Sequence, residues 1–258
     1  MTVTSNATSP TNTVASAGIN HTANPATVLI RIPSRPPIRS ATSTPSTGSS
    51  KSVNLADKTA EQVVFRHGRV EDATLMTEMQ FSNYWHHYPG ICPQVFLDTL
   101  DRPKMTASHV SRMTPSVDER EMAYVVAERT NAKTGELEII GMSQAMVPDW
   151  ERAYNHRFYE GWSQDDFDCE VDTLYVKVGV QGGGIGRKLV LGALEEAYER
   201  FNMRRGVIIW TLFGNTQGRN FYSRIGCTEV AIRTLDLAGV PAECVGYAFR
   251  SIGEAIGK

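Results

Sequence analysis

The run Gln181-Gly182-Gly183-Gly184-Ile185-Gly186-Arg187 constrains this chain more than any other stretch. It lies between a strand-like segment, Glu170 to Val178, and a helix with a clear apolar stripe, Ile185 to Phe201. A glycine-rich turn from a strand into a helix aims several backbone N–H groups at one point. The helix dipole adds partial positive charge there, which suits a phosphate or pyrophosphate. Glycines let the backbone approach an anion without a Cβ in the way. A phosphate-bearing cofactor is therefore expected.

Three loop types bind such cofactors, and the residues separate them. A P-loop needs a hydroxyl after its lysine, but Leu189 follows Lys188. A dinucleotide fingerprint needs a third glycine and an acid after the next strand. Gly184-Ile185-Gly186-Arg187-Lys188-Leu189 lacks that glycine, and Val207 to Phe213 ends in Gly214-Asn215. A coenzyme A pyrophosphate loop fits best. Gln181 to Gly186 matches the pattern Arg/Gln-x-x-Gly-x-Gly/Ala at every specified position. On that pattern the chain resembles the GNAT superfamily of N-acetyltransferases. The context extends the resemblance. Leu174-Tyr175-Val176 is similar to the family's fourth strand. Asn215 and the run Asn220-Phe221-Tyr222-Ser223-Arg224-Ile225-Gly226-Cys227 are similar to its strand-five end, short helix and following turn. Val178 stands where many members carry Pro, and Cys227 where many carry Phe. The resemblance runs over Glu170 to Arg250 and extends back toward Val64.

It implies an α/β fold, with a mixed, mostly antiparallel sheet of six to seven strands flanked by helices. The sheet would splay between strands four and five. It also implies direct transfer of an acetyl group from acetyl-CoA to a primary amine, and a small-molecule amine is expected because no protein-docking module is evident. The alternative is a non-catalytic acyl-CoA-binding sensor or regulatory domain on the same fold.

The chain has 258 residues and a formal charge of −2, so it carries no electrostatic footprint for nucleic acid. No acid precedes Asp57, so the later part is the more acidic, which suits either a cationic amine or plain solubility. The four cysteines form no C-x-x-C pair and read as reduced core residues. No apolar run is long enough to span a bilayer, and no signal peptide is evident. A cytoplasmic protein is expected, monomer or homodimer, with no membrane partner. Residues 1–58 are rich in Ser, Thr, Asn, Ala and Pro and are expected to be a disordered leader, with the acetyltransferase-like domain over 59–258.

Within that domain, a first strand is expected over Gln62 to Arg69 and a helix over Glu71 to Tyr88. A second helical region, Cys92 to Met113, should be interrupted at Pro103. Strands follow at Met122 to Ala127 and Leu137 to Met146. Residues 148–168 read as a polar, aromatic insertion whose Tyr154, His156, Tyr159, Trp162, Asp165 and Asp166 either suit a cationic amine or form only a surface loop. After the helix and the strand Val207 to Leu212, Asn215 can cap a short helix that stops at Gly226. Cys227 to Thr234 and Cys244 to Arg250 would close the chain as a hairpin.

If acetyl-CoA sits at the turn, the N–H groups of Gly182, Gly183, Gly184, Ile185, Gly186 and Arg187 face its pyrophosphate, with Gln181 opening the loop. The side chain of Arg187 either adds a charge-assisted contact or is solvated. The resemblance places the pantetheine arm along Leu174, Tyr175 and Val176, and the oxyanion on the same strand's backbone N–H. Asn215 either contacts the cofactor or caps its helix, and Asn220 is a further cofactor candidate. The amine must lose a proton before attack. Glu170 is the candidate base, with Asp172 two residues on, where paired carboxylates could raise one another's pKa. The rival reading makes both a solvated strand start. Tyr222 matches the family tyrosine that protonates the leaving sulfur, and otherwise it is a core aromatic. No metal site is expected, because adjacent His86 and His87 do not share a helix face.

Overall fold

In a computed structural model, which describes residues 63–114, 121–131 and 134–258, the glycine turn does join a strand to a helix. The strand is β5, Phe167–Val176. The helix is α4, Ile185–Phe201, with the bounds the apolar stripe predicts. Leu189, Val190, Leu194 and Ala197 form that stripe and are fully buried. Each buried leucine contributes about 2 kcal/mol by removal from water. The expected leader, 1–58, lies outside the described residues.

The remaining elements run in chain order as follows: β1 (Val64–His67), α1 (Ala73–His87), α2 (Gln94–Asp98), α3 (Arg102–Met113), β2 (Met122–Thr130), β3 (Leu137–Met146) and β4 (Tyr154–Phe158). After β5 and α4 come β6 (Gly206–Leu212), α5 (Thr216–Ile225), β7 (Thr228–Leu237), β8 (Val240–Phe249) and α6 (Ile252–Ile256). The strands form one eight-stranded sheet in the order β1-β2-β3-β5-β6-β8-β7-β4. Every adjacent pair is antiparallel except β5–β6. Helix α4 packs on β2, β3 and β5, and α1 packs on α3, β3 and β5. Two apolar clusters lie with these helices, one around Leu189 and Leu194, the other around Met76, Met79 and Met142.

Two expectations are corrected. The sheet has eight strands rather than six or seven, because the insertion supplies β4, which pairs with the outer edge of β7. The alternation in Tyr154–Phe158 is too polar to announce a strand, since β4 is a largely exposed edge. Second, the second helical region is interrupted as expected, but at residues 99–101 rather than at Pro103. Pro103 sits in the first turn of α3, where a missing N–H costs nothing, and Asp101 caps that helix by accepting from Lys104 N–H at 2.8 Å.

The β5–β6 junction positions the site. Pairing runs from Phe167↔Gly206 to Val171↔Ile209 and stops there. On its other side β5 pairs with β3 through Val176, but the register passes from Gln144↔Thr173 to Ala145↔Val171. Asp172 is therefore a bulged residue, and a bulge increases local twist. The strands separate beyond it. The open wedge is the splay expected from the resemblance.

Candidate active site

A cleft of about 790 Å³ fills this wedge. One end is built from backbone. Gly182 (φ +92°) and Gly184 (φ +79°) are left-handed, and a Cβ on either would meet no atom within 4 Å. The glycines are thus required by backbone conformation, and the space above them is open. The first intrahelical bond of α4 runs from Lys188 N–H to Gly184 O at 3.1 Å. The N–H groups before Lys188 have no partner within the helix, as at any helix start. Gly186 has a different reason: a Cβ there would lie 3.3 Å from the Phe221 ring. Its small size lets α4 and α5 meet below the turn. Gln181 holds the turn against the strand, its Nε2 donating to Val176 O at 3.2 Å, and it also lies 3.1 Å from His87 Nε2.

Between the two ends runs the edge of β5 that faces β6. Leu174, Tyr175 and Val176 line the cleft there, and no described strand pairs with that edge. Asn215 lines the opposite side. Its Oδ1 accepts from Gly218 N–H at 3.0 Å, so the cap is real, and its Nδ2 donates to Thr211 Oγ1 at 3.1 Å. Helix α5 ends at Gly226 in the left-handed region, φ +105°.

The far end is built from side chains. Glu170 is 3% exposed, so it is not a solvated strand start. Burial is the main force on its carboxyl and raises the pKa to about 7. The Arg233 guanidinium opposes that shift, and Asp172 adds to it. Pairing with Asp172 is therefore the lesser cause, contrary to expectation. Asp172 is held by ion pairs to Arg152 and, at 3.3 Å, to Arg112. Tyr222 is 8% exposed and lines the cleft, and burial keeps its phenol protonated well above the ordinary tyrosine range. Tyr84 forms an aromatic wall with Tyr88 (5.2 Å between ring centroids), Tyr175 (5.7 Å) and Phe96 (6.1 Å).

The cleft brings together Glu170, Leu174, Tyr175, Val176, Gln181, Gly182, Gly184, Gly186, Arg187, Asn215 and Tyr222. It does not include Gly183, Ile185 or Asn220. Ile185 turns its side chain into the core, and the Asn220 carbonyl accepts from Arg224 Nε at 3.0 Å. Nor do the insertion aromatics reach the cleft. Trp150 and Trp162 pack with Phe158 and Phe167 in an apolar cluster, and Trp162 stacks on Phe167. What the insertion contributes is Arg152. Sequence reasoning missed Arg152, Arg233, Trp210 and the Tyr84–Tyr88 wall. Arg233 left one signal, a charge at an inward position of the strand Val230-Ala231-Ile232-Arg233.

Solved structures with a similar arrangement include three acetyltransferases. One is PaiA N-acetyltransferase from Thermoplasma acidophilum in complex with coenzyme A (16% identity, 71% of this chain and 98% of that chain, TM-score 0.49). Another is ribosomal-protein-alanine N-acetyltransferase from Brucella melitensis (16%, 72% and 98%, 0.48). The third is a variant of spermidine N-acetyltransferase SpeG from Vibrio cholerae (12%, 75% and 96%, 0.48). No curated protein matches the chain. Among the described residues no helix is long and apolar enough to cross a membrane. The acetyltransferase (GNAT) family model matches residues 91–227, just over half of the sequence, and the chain belongs to that family, whose cosubstrate is acetyl-CoA.

Proposed function

We propose that this protein transfers an acetyl group from acetyl-CoA to a primary amine of a small molecule, directly, with both substrates in the cleft. The observation that carries the proposal is the continuity of that cleft, from the Gly182–Gly184 turn to a buried carboxyl, Glu170.

The residues fit coenzyme A. The turn offers open space over left-handed glycines and helix-start N–H groups suited to a pyrophosphate. The unpaired edge at Leu174–Val176 offers backbone donors and acceptors to an extended amide-bearing arm. Bound there, acetyl-CoA supplies an acetyl thioester for attack.

Glu170 takes the proton from the incoming ammonium, directly or through water. Its pKa of about 7 places it near the working pH, where a general base is most effective. Tyr222 holds the proton that the departing sulfur needs, and burial keeps it on the phenol. Backbone N–H groups of the β5 edge stabilise negative charge at the carbonyl oxygen. A buried base and a buried acid lining one cleft favour catalysis over the non-catalytic sensor reading. Strongly perturbed carboxyls concentrate at functional sites, which supports the catalytic reading.

The test is acetyl-CoA titration by calorimetry, followed by thiol release with a panel of small amines. Micromolar binding with amine-dependent thiol release is the expected result. Binding without turnover on any amine would favour the sensor, and no binding at all would overturn the proposal.

A further inference from the structure

We propose that the acceptor is an α-amino acid, its carboxylate seated on the Arg233 guanidinium and its amine beside Glu170. This rests on the acetyl-transfer reading of the same cleft.

Arg233 lies on β7 opposite Cys244 and is 3% exposed. Its guanidinium carbon sits 4.3 Å from the centroid of the Trp210 ring. Both residues line the cleft. Its one ion pair among the described residues is to Glu170, with Nη2 3.6 Å from Oε1, too long for a hydrogen bond. Its Nε and Nη1 are buried and have no hydrogen-bond acceptor among the described residues, and neither has the indole Nε1 of Trp210. All three are donors. Buried donors cost free energy unless an acceptor reaches them, and a guanidinium costs most of all.

The molecule supplies its own contrast in Arg66, which is 4% exposed. Arg66 donates to both oxygens of Asp72 at 2.7 and 2.8 Å, to Glu128 at 2.7 Å and to His67 O at 3.0 Å. That is how this protein buries an arginine for structure alone.

The other carboxylates at this end of the cleft are already engaged. Asp172 is held by Arg112 and Arg152, and Asp236 accepts from Gly239 N–H at 2.6 Å in the β7–β8 turn. Glu170 is held near pKa 7, so close to neutrality it is only in part a counter-charge. One buried guanidinium is left for a ligand anion. A planar carboxylate matches its fork, and Trp210 fixes its plane. Glu170 stands so near Arg233 that a ligand serving both must carry amine and carboxylate on neighbouring atoms. That spacing describes an α-amino acid. A polyamine would bring only positive charge to a guanidinium whose Nε and Nη1 already want for an acceptor.

The test compares each standard α-amino acid with its α-amide as acceptor, for the wild type, Arg233→Met and Arg233→Lys, with acetyl-CoA affinity measured for each. The wild type should prefer at least one acid over its amide by about 100-fold in kcat/KM, the scale of a buried charge pair. Arg233→Met should erase that preference, with KM for the acid rising toward that of the amide, and keep acetyl-CoA affinity; kcat near pH 7 should fall alike for acid and amide, because Glu170 loses the guanidinium that opposes its pKa rise. Arg233→Lys should restore part of the preference. Should Arg233→Met not fold, the wild-type ratio and the Lys variant decide. Equal use of acids and amides, or no acid used while acetyl-CoA binds, overturns the amino-acid proposal and leaves acetyl transfer standing. No acetyl-CoA binding by the wild type overturns both.

Discussion

The two ends of the cleft are built by opposite means. At the glycine turn the binding groups are main-chain N–H groups within seven consecutive residues, and the side chains matter by being absent. At the acceptor end the groups are side chains: Tyr84 from α1, Arg152 from the insertion, Glu170 and Asp172 from β5, Trp210 from β6 and Arg233 from β7. A backbone site needs only local geometry, so a short pattern encodes it. A side-chain site needs a folded sheet to bring distant residues together. The first end can be shared across many acetyltransferases, while the second can differ in each without disturbing the fold.

Substitutions at either end test that contrast. The largest effect is expected at the backbone end. Gly184→Glu places a Cβ at φ +79° and a negative charge against the pyrophosphate. Acetyl-CoA affinity by calorimetry should fall by about 1000-fold, from strain and repulsion together. An affinity near wild type would move the pyrophosphate away from this turn.

Next comes Glu170→Gln, which should lower kcat by about 100-fold or more while acetyl-CoA affinity stays unchanged. The sign of the pH effect follows from the base role. A base must be deprotonated to act, so activity should rise with pH through about 7, the value burial sets for Glu170. The rate–pH profile of Glu170→Gln should lose that limb. If the limb persists, another group or water is the base.

Tyr222→Phe keeps the ring that packs on Tyr247 (5.8 Å) and removes only the hydroxyl. A drop of about 10- to 100-fold in kcat, with KM for the amine little changed, is expected from losing the acid. A lowered melting temperature with full activity would instead make Tyr222 a core aromatic.

The smallest effect is expected from Asn215→Ala. Loss of the cap on Gly218 N–H should cost about 1 kcal/mol of stability, read by denaturant unfolding. A larger change in acetyl-CoA affinity than in stability would show that Asn215 touches the cofactor as well.

The contrast also explains what could be read before the fold was known. The helix over Ile185–Phe201, the cap at Asn215, the stop at Gly226 and the glycine turn all depend on residues close in sequence, so periodicity and spacing expose them. The bounds of β6 follow closely for the same reason, as an apolar run between turns, whereas β5 begins three residues before and ends two before the expected strand, because charges interrupt its apolar residues. Strand β4 escaped notice because an exposed edge strand needs no apolar face. The aromatic insertion suggested a substrate wall, but Trp150 and Trp162 gain more by covering Phe158 and Phe167 than by facing water.

Residues close in sequence set the local chemistry: where a helix begins, which backbone must be glycine, and where helix-start N–H groups gather. Tertiary structure decided the electrostatics. Glu170 is charged or neutral near pH 7 according to how deeply β3, β6 and β7 bury it and how near Arg233 stands, and desolvation and Coulomb energy are sums over the whole surrounding fold. Arg66 and Arg233 are both arginines in strands. Only the folded sheet gives one a full set of acceptors and leaves two buried nitrogens of the other with none among the described residues.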